Sequence, residues 1–292
     1  MDIGLFLPSV NPFATPEFLR VYAETAEEHG FHSLWVGEHV VFLDEYTADY
    51  PYSDDGRIPV GGEHGMLDLF ATLTFLGALT TRIRLGTGIC LVPQRNPVYT
   101  AKEVSTLDWL SGGRVDFGIG IGWLREEFEV LGVPFAERAT RTRDYVEVMR
   151  RLWCDEVSRY DGAHYQLPPC RMYPKPVQQP HPPVYFGGES DAALARVADL
   201  GDGWHGFNHT PETAADGVRR LESMLADRGR KLGDVDVIVS PYIQPVTPAA
   251  LSGYRDAGVR QVVLPGFAVD PAGARETIAR LGDEWVVPAG AL

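Results

Sequence analysis

Cysteine is scarce, with three residues in 292: Cys90, Cys154 and Cys170. An odd, widely spaced set argues against a disulfide framework or a zinc site and fits a reducing cytoplasm. No apolar run reaches the roughly eighteen residues of a membrane span, so none is expected. A basic, apolar leader is also missing: Met1-Asp2-Ile3 runs straight into a strand, and no export signal is read. Positive charge is in the minority. Lys and Arg total 26 against 40 Asp and Glu, a net charge of −14, with the arginines dispersed among acids. A nucleic-acid surface is therefore not expected, and an anionic ligand needs a local pocket of donors. The histidines are scattered, with neither the HxH pair nor the carboxylate cluster of a barrel metal hydrolase, so no metal site is expected.

What is present is apolar material and a βα rhythm. Hydrophobic residues make up 45% of the chain, enough for a sizeable core. The length allows two average domains or one large α/β barrel. The organising stretch is Gly113 to Gly132. Arg114–Ile121 reads as a buried strand in which Val115, Phe117, Ile119 and Ile121 alternate with Asp116, Gly118 and Gly120. Glycines at spacing two put bare backbone on one face, where a flat ring or another backbone can come close. Tight packing in a barrel wall accounts for them equally well. Trp123 then begins an acidic helical turn, Arg125 to Glu129.

Along the chain, strand one is Ile3–Leu7 and a helix opens at Pro16 and stops at Gly30. Strand two, Ser33–Gly37, delivers Glu38 and His39. A long polar and aromatic segment follows, Phe42 to Gly65, with Tyr46, Tyr50, Tyr52, Asp54-Asp55 and Gly61-Gly62. A connection of this length reads as a functional lid or as disorder. Leu67–Leu79 is helical, Ile83–Val92 is strand three, and Pro97–Leu110 is helical. Glu137–Trp153 is a long arginine-rich helix after strand four. From Cys154 to Pro183 the rhythm breaks, with a small hairpin at Asp161-Gly162 and seven prolines between Pro168 and Pro183. Strands five to eight are Pro183–Gly188, Gly203–Phe207, Val235–Ser240 and Gln261–Leu264, each followed by a helix. Eight such units predict one TIM (β/α)8 barrel domain over 1–292, with a long loop after strand two and an excursion at about 154–183. Two doubly wound halves joined by the proline-rich segment are the alternative.

In a barrel the chemistry lies at the C-terminal strand ends. Gly187-Gly188-Glu189-Ser190 is the best anion seat, because a strand, two glycines and a helix start aim free N–H groups and a positive helix end at one spot. A plain strand-to-helix turn with a Ser cap is the other reading. Gly118-x-Gly120-x-Gly122 lacks the spacing of a dinucleotide fingerprint. Gly86-Thr87-Gly88-Ile89 offers a second close backbone approach. His39 is suited to bind or protonate a substrate; beside Glu38 it is equally suited to a structural hydrogen-bonded pair. Trp123 and Trp204 are flat surfaces near the mouth, or simple packing.

Five segments occur together in order: Trp35-Val36-Gly37-Glu38-His39, Leu85-Gly86-Thr87-Gly88-Ile89, Ser111-Gly112-Gly113-Arg114-Val115, Gly118 to Phe128, and Pro183-Val184-Tyr185-Phe186-Gly187-Gly188. The set resembles the bacterial luciferase-like superfamily of flavin and deazaflavin oxidoreductases, nearest its coenzyme F420-dependent subgroup. That resemblance implies a barrel with F420, or alternatively FMN, lying across the strand ends. It implies a non-proline cis peptide at Gly88–Ile89 behind the ring. Glu38 and His39 become the candidate catalytic pair. Thr87, Gly88, Ile89, Gly120, Ile121, Gly122 and Trp123 become ring contacts, and Gly187, Gly188 and Ser190 the phosphate seat. Some sugar-phosphate dehydrogenases of this family carry a catalytic Glu where this chain has Trp123, which argues against that substrate and against the same proton partner for His39. The expected reaction is hydride transfer between F420 and a small organic substrate, apolar or flat to judge by the aromatic lid. An FMN-dependent two-component monooxygenase, fed by a separate reductase, and a cofactor-binding barrel without turnover are the alternatives. A homodimer is implied by the resemblance, and the cysteine content and missing export signal lead to the expectation of a cytoplasmic protein.

Overall fold

The computed structural model describes residues 1–47, 49–53, 55–60 and 63–291. Asp54, Gly61 and Gly62 of the long second loop lie outside them. Eight parallel strands carry the fold: β1 (Asp2–Phe6), β2 (Ser33–Val36), β3 (Arg84–Thr87), β4 (Val115–Gly120), β5 (Val184–Gly187), β6 (Gly203–Phe207), β7 (Asp236–Ser240) and β8 (Gln261–Pro265). Each pairs with its neighbour, β1 pairs with β8, and Leu85↔Val115 and Gly86↔Asp116 join β3 to β4, so the sheet closes as a TIM barrel. The outer helices are α1 (Pro16–Glu28), α2 (Leu69–Leu79), α3 (Pro97–Ser111), the short α4 (Arg125–Val130), α5 (Arg138–Cys154), α6 (Asp191–Leu200), α7 (Pro211–Ala226), the short α8 (Leu251–Asp256) and α9 (Pro271–Leu281).

Local sequence explains where the helices start. Thr15-Pro16, Asn96-Pro97, Thr210-Pro211 and Asp270-Pro271 each put a capping side chain before a proline whose missing N–H costs nothing at the first helical position. Gly112, at φ 72°, ends α3 in the left-handed conformation that only glycine adopts freely. The core between helices and sheet is continuous, from Leu5 and Phe18 through Leu85 and Val104 to Ile278. A separate small cluster, Trp35, Tyr185, Ile238 and Val263 with Phe6 packed against it, fills the barrel interior.

Three expectations need adjusting. Strand three is not continuous over Ile83–Val92. It stops at Thr87, the Gly88–Ile89 peptide is cis, and Cys90–Leu91 resumes pairing with β4. Gly86 faces Asp116 and Cys90 faces Ile119, so β3 spends four residues where β4 spends three, and one residue is bulged out. The helix after β4 begins at Arg125 rather than Trp123, because Gly122 takes φ 76° and Leu124 is extended. The helix after β7 opens as a tight turn, Pro248–Ala250, before α8. The excursion runs from the end of α5 through an antiparallel hairpin, Ser158–Asp161 with Gln166–Cys170, and returns to β5.

Candidate functional site

The glycines of β4 make room for the bulge rather than for an open face. A side chain at Gly118 would overlap the Thr87 carbonyl oxygen, and one at Gly120 would overlap Ile89 Cδ1. At Gly187 a Cβ would stand 2.8 Å from the same Ile89 carbon. Ile89 therefore folds into the top of the barrel over a floor of backbone. Below it, the Trp35 ring occupies the space that Gly86 leaves empty, with its Nε1–H donated to Ser33 Oγ at 2.7 Å. The interior is plugged, and any flat ligand must lie across the mouth.

That mouth is a cavity of about 1250 Å³. Its wall includes Gly88, Ile89, Gly120, Ile121, Gly122 and Trp123 on one side and Gly187, Gly188 and Ser190 on another, with Glu38 and His39 between. Thr87 is placed differently. It is fully buried, and its hydroxyl donates to Gly118 O at 2.6 Å, so it buttresses the bulge from below. At the candidate anion seat Gly188 has φ 107°, and Ser190 caps α6 by accepting the Ala193 N–H at 3.2 Å. The remaining first-turn amides point outward at the positive end of the helix. Arg196, one and a half turns along α6, lines the same cavity. Its Nε has no partner among the described residues, and burial, reinforced by Arg143 and Arg138 nearby, lowers its pKa. A buried cation without a carboxylate is what an anionic ligand would relieve.

Glu38 and His39 adjoin in sequence but differ in their commitments. Both oxygens of Glu38 are taken: Oε2 accepts the Leu91 N–H at 2.6 Å, and Oε1 accepts Arg95 Nε at 2.8 Å and Nη2 at 2.6 Å. Arg95 also holds Glu103 at 2.9 Å. Glu38 thus pins the far end of the bulge to α3. His39 instead turns its Nδ1 to Glu127 Oε2, 3.1 Å away, and its ring lies edge-on to Trp123 with centroids 5.9 Å apart.

Glu127 is the residue that sequence reasoning missed. It has no exposed surface, and its carboxylate gathers the Val40 N–H at 2.7 Å, Gln94 Nε2 at 3.1 Å and His39. Burial works to raise its pKa, but the hydrogen bonds from His39, Gln94 and Val40 outweigh this and hold it below the usual carboxylate range. An ionised carboxylate only accepts, so Nδ1 of His39 is the protonated nitrogen, and Nε2 is left to exchange a proton. The signal was in the sequence: Leu124, Glu127, Phe128 and Leu131 fall at helical spacing on one apolar stripe, where a lone Glu must find partners.

The long loop closes over this arrangement through its aromatics. Tyr46 and Tyr50 contact Trp123 at centroid distances of 5.8 and 5.3 Å, and Tyr52 contacts Phe207 at 4.8 Å. Thr47 ties the loop to α4 by donating its N–H to Glu126 Oε1 at 2.6 Å. Among the described residues no group of His, Cys, Asp and Glu converges as a metal site, and no helix is long and apolar enough to cross a membrane.

Known proteins resemble the chain in sequence and in fold. An uncharacterised protein of Mycobacterium tuberculosis, Rv0953c, is 35% identical over 279 residues, covering 94% of this chain and 95% of its own. The FMNH2-dependent dimethylsulfone monooxygenase of Pseudomonas putida is 27% identical over 255 residues, 82% of this chain and 65% of that one. The coenzyme F420-dependent tetrahydromethanopterin reductase of Methanopyrus kandleri shares the fold, with a TM-score of 0.77 at 19% identity over 98% of this chain and 99% of its own. The family model for luciferase-like monooxygenases matches residues 1–245. With its closed barrel, interrupted third strand and glycine-walled mouth, the chain belongs to the luciferase-like monooxygenase family.

Proposed function

We propose that the protein is an oxidoreductase that exchanges a hydride between the deazaflavin coenzyme F420 and a small organic molecule. The observation that carries this reading is the His39–Glu127 pair. It sets an imidazole Nε2, backed by a buried ionised carboxylate, in the wall of a cavity whose other walls are bare backbone. A proton-handling group beside a flat seat is what oxidation of an alcohol, or reduction of a carbonyl, requires of the protein.

The residues present fit the cofactor. The bulge Gly88–Ile89 and the segment Gly120–Trp123 would border its ring, and the amides after Gly188, the Ser190 hydroxyl and Arg196, whose Nε has no partner among the described residues, would hold its phosphate. When bound, F420 supplies a two-electron hydride donor or acceptor. The chain itself does three things. His39 Nε2 takes the proton from a substrate hydroxyl or returns it, Glu127 keeps His39 in the required tautomer, and the tyrosines of the second loop exclude water. Glu38 is assigned to positioning the bulge rather than to proton transfer, since Leu91 and Arg95 already occupy its carboxylate.

A second reading, a two-component monooxygenase fed with reduced FMN by a separate reductase, is favoured by the likeness to the dimethylsulfone monooxygenase. A working homodimer is proposed with either. Titrating purified protein with F420 and with FMN, using quenching of the tryptophan emission, separates the two. Micromolar binding of F420 is expected, and binding of FMN alone would overturn the deazaflavin assignment.

A further inference from the structure

Directly after His39, residues 40–47 begin the roof as a strap that belongs to no helix or strand. Among the described residues, the backbone N–H groups of this strap find their partners on α4 alone. Val40 and Val41 donate to Glu127 Oε1 at 2.7 and 3.4 Å. Thr47 donates to Glu126 Oε1 twice, through its N–H at 2.6 Å and its hydroxyl at 2.8 Å. Two consecutive carboxylates on one helical turn thus grip both ends of the strap. An acid in the first turn of a helix also suits the helix dipole, with or without a strap. Glu126 differs from such a surface acid in its partners. Among the described residues Thr47 supplies every hydrogen bond that its carboxylate accepts from another residue, and these bonds, the backbone one first, hold its pKa below the usual carboxylate range.

The two ends of the strap reach different things. At the Thr47 end, Tyr46 organises the roof: its hydroxyl accepts the Ile58 N–H at 2.9 Å, its carbonyl accepts Arg57 Nη1 at 3.0 Å, and the Arg57 guanidinium lies 4.6 Å over its ring. The same ring stands edge-on to Trp123, which stands edge-on to His39. Freeing Thr47 therefore frees Tyr46, and Trp123 loses a support on the side away from His39. At the other end the strap supplies two of the donors on Glu127. That carboxylate has no exposed surface. If the strap lifts, Glu127 loses those amides and meets water, which then competes for its bond to His39 Nδ1.

We propose that Glu126 is a positioning residue for the proton chemistry: by holding Thr47 it keeps the strap seated on α4, and the seated strap keeps Glu127 on His39, so that closing the roof and fixing the Nδ1–H tautomer of His39 are one event. His39 Nε2 is then a competent base only beneath a closed roof, where water is excluded. The inference rests on the reading of His39 as the proton-handling group, and it holds for either cofactor.

The test needs neither substrate nor turnover. The intact chain, labelled with 15N on histidine, is read by long-range proton–nitrogen NMR in mildly alkaline buffer, with His39→Gln identifying the His39 signals, and amide hydrogen exchange is followed at Val40. Wild type is expected to carry the ring proton on Nδ1. Glu126→Ala is expected to give a mixture of both tautomers and to speed Val40 exchange by about tenfold or more. Glu126→Gln keeps an acceptor for Thr47 and should stay within about threefold of wild type in that exchange. Thr47→Ala, which deletes the hydroxyl bond and leaves the N–H bond, should fall between them without touching α4. An unchanged tautomer or unchanged Val40 exchange in Glu126→Ala overturns the inference and leaves the role of His39 standing. Equal effects of Ala and Gln at 126, with Thr47→Ala silent, also overturn it, because Glu126 is then only a helix-end charge. A wild-type ring protonated on Nε2 would sink the proton-handling reading and this inference together.

Discussion

Replacing Glu127 by Gln probes the centre of the proposed chemistry with almost no change in shape. The carboxylate is surrounded by donors: the Val40 N–H at 2.7 Å, the Val41 N–H at 3.4 Å, Gln94 Nε2 at 3.1 Å and His39 Nδ1 at 3.1 Å. A glutamine has one acceptor and one donor, so its NH2 must face one of them. The backbone N–H groups cannot adapt, and Gln94 can flip. His39 can also shift its proton to Nε2 and accept at Nδ1, which turns its cavity-facing nitrogen from a base into a donor. A positioned acid–base group contributes roughly 10²–10⁴-fold in rate. Loss of the required tautomer in Glu127→Gln should therefore lower kcat by about that factor in the direction that removes a substrate proton. Exchanging charge-assisted for neutral hydrogen bonds should cost about 1–3 kcal/mol of stability, at about 2–4 °C in Tm per kcal/mol for a chain of this size.

The assay pairs F420 binding, read by tryptophan quenching, with turnover of a neutral ketone and of the matching alcohol across pH. The expected signature is unchanged cofactor affinity, a large fall in alcohol oxidation and a smaller fall in ketone reduction, where a protonated Nε2 is wanted. His39→Ala should abolish that asymmetry, because the nitrogen itself is gone. Wild-type rates and an unshifted pH profile in Glu127→Gln would refute the reasoning. An equal loss of cofactor binding would show instead that Glu127 only shapes the loop around Val40.

Other parts of the structure make their own predictions. Gly120→Ala drives a methyl into Ile89 Cδ1 and should destabilise the protein by about 1–3 kcal/mol; Ile89→Ala in the same chain should recover part of the Tm, and no recovery would mean the two do not share that space. Arg196→Gln should weaken phosphate-bearing cofactor about tenfold or more and leave a dephosphorylated analogue unaffected; equal losses for both would remove Arg196 from the anion seat. Glu27 on α1 accepts N–H groups from Thr81, Arg82 and Ile83 at 3.0, 2.7 and 2.9 Å. Slight burial opposes this, yet those bonds lower its pKa from 4.5 to about 2. A depressed folded pKa gives stability that is present above the unfolded value and lost as pH falls through the folded one. Glu27→Gln should cost about 1 kcal/mol, after solvent screening, above pH 5, a cost that shrinks as pH falls toward the folded pKa and vanishes below it; a Tm difference that does not narrow as the pH falls would refute it.

How much of this was legible in the sequence depends on whether a residue's role is set by its neighbours in the chain or across the barrel. Strand and helix starts are local, and Thr15-Pro16, Asn96-Pro97 and Ser190-Asp191 announced theirs. The glycines of β4 were visible, but their partner was not. Their spacing is satisfied by a ring, a wall or a bulge, and only the three-dimensional approach of Ile89 and Thr87 decides for the bulge. The interruption in β3 was equally silent, because Gly86 to Val92 keeps the alternation of one strand; family resemblance located the cis bond at Gly88–Ile89, and composition alone would not have done so. Glu38 and His39 adjoin in the chain, yet one faces Arg95 on the way to α3 and the other faces Glu127 on α4, 88 residues on. Adjacent strand-end residues point to opposite sides of the chain, so a catalytic pair is more readily built from one of them and a residue of the next strand-end segment than from both together. A carboxylate on an otherwise apolar helical stripe just past a barrel strand is then the pattern to seek, and Leu124-x-x-Glu127-Phe128 is that pattern in this chain.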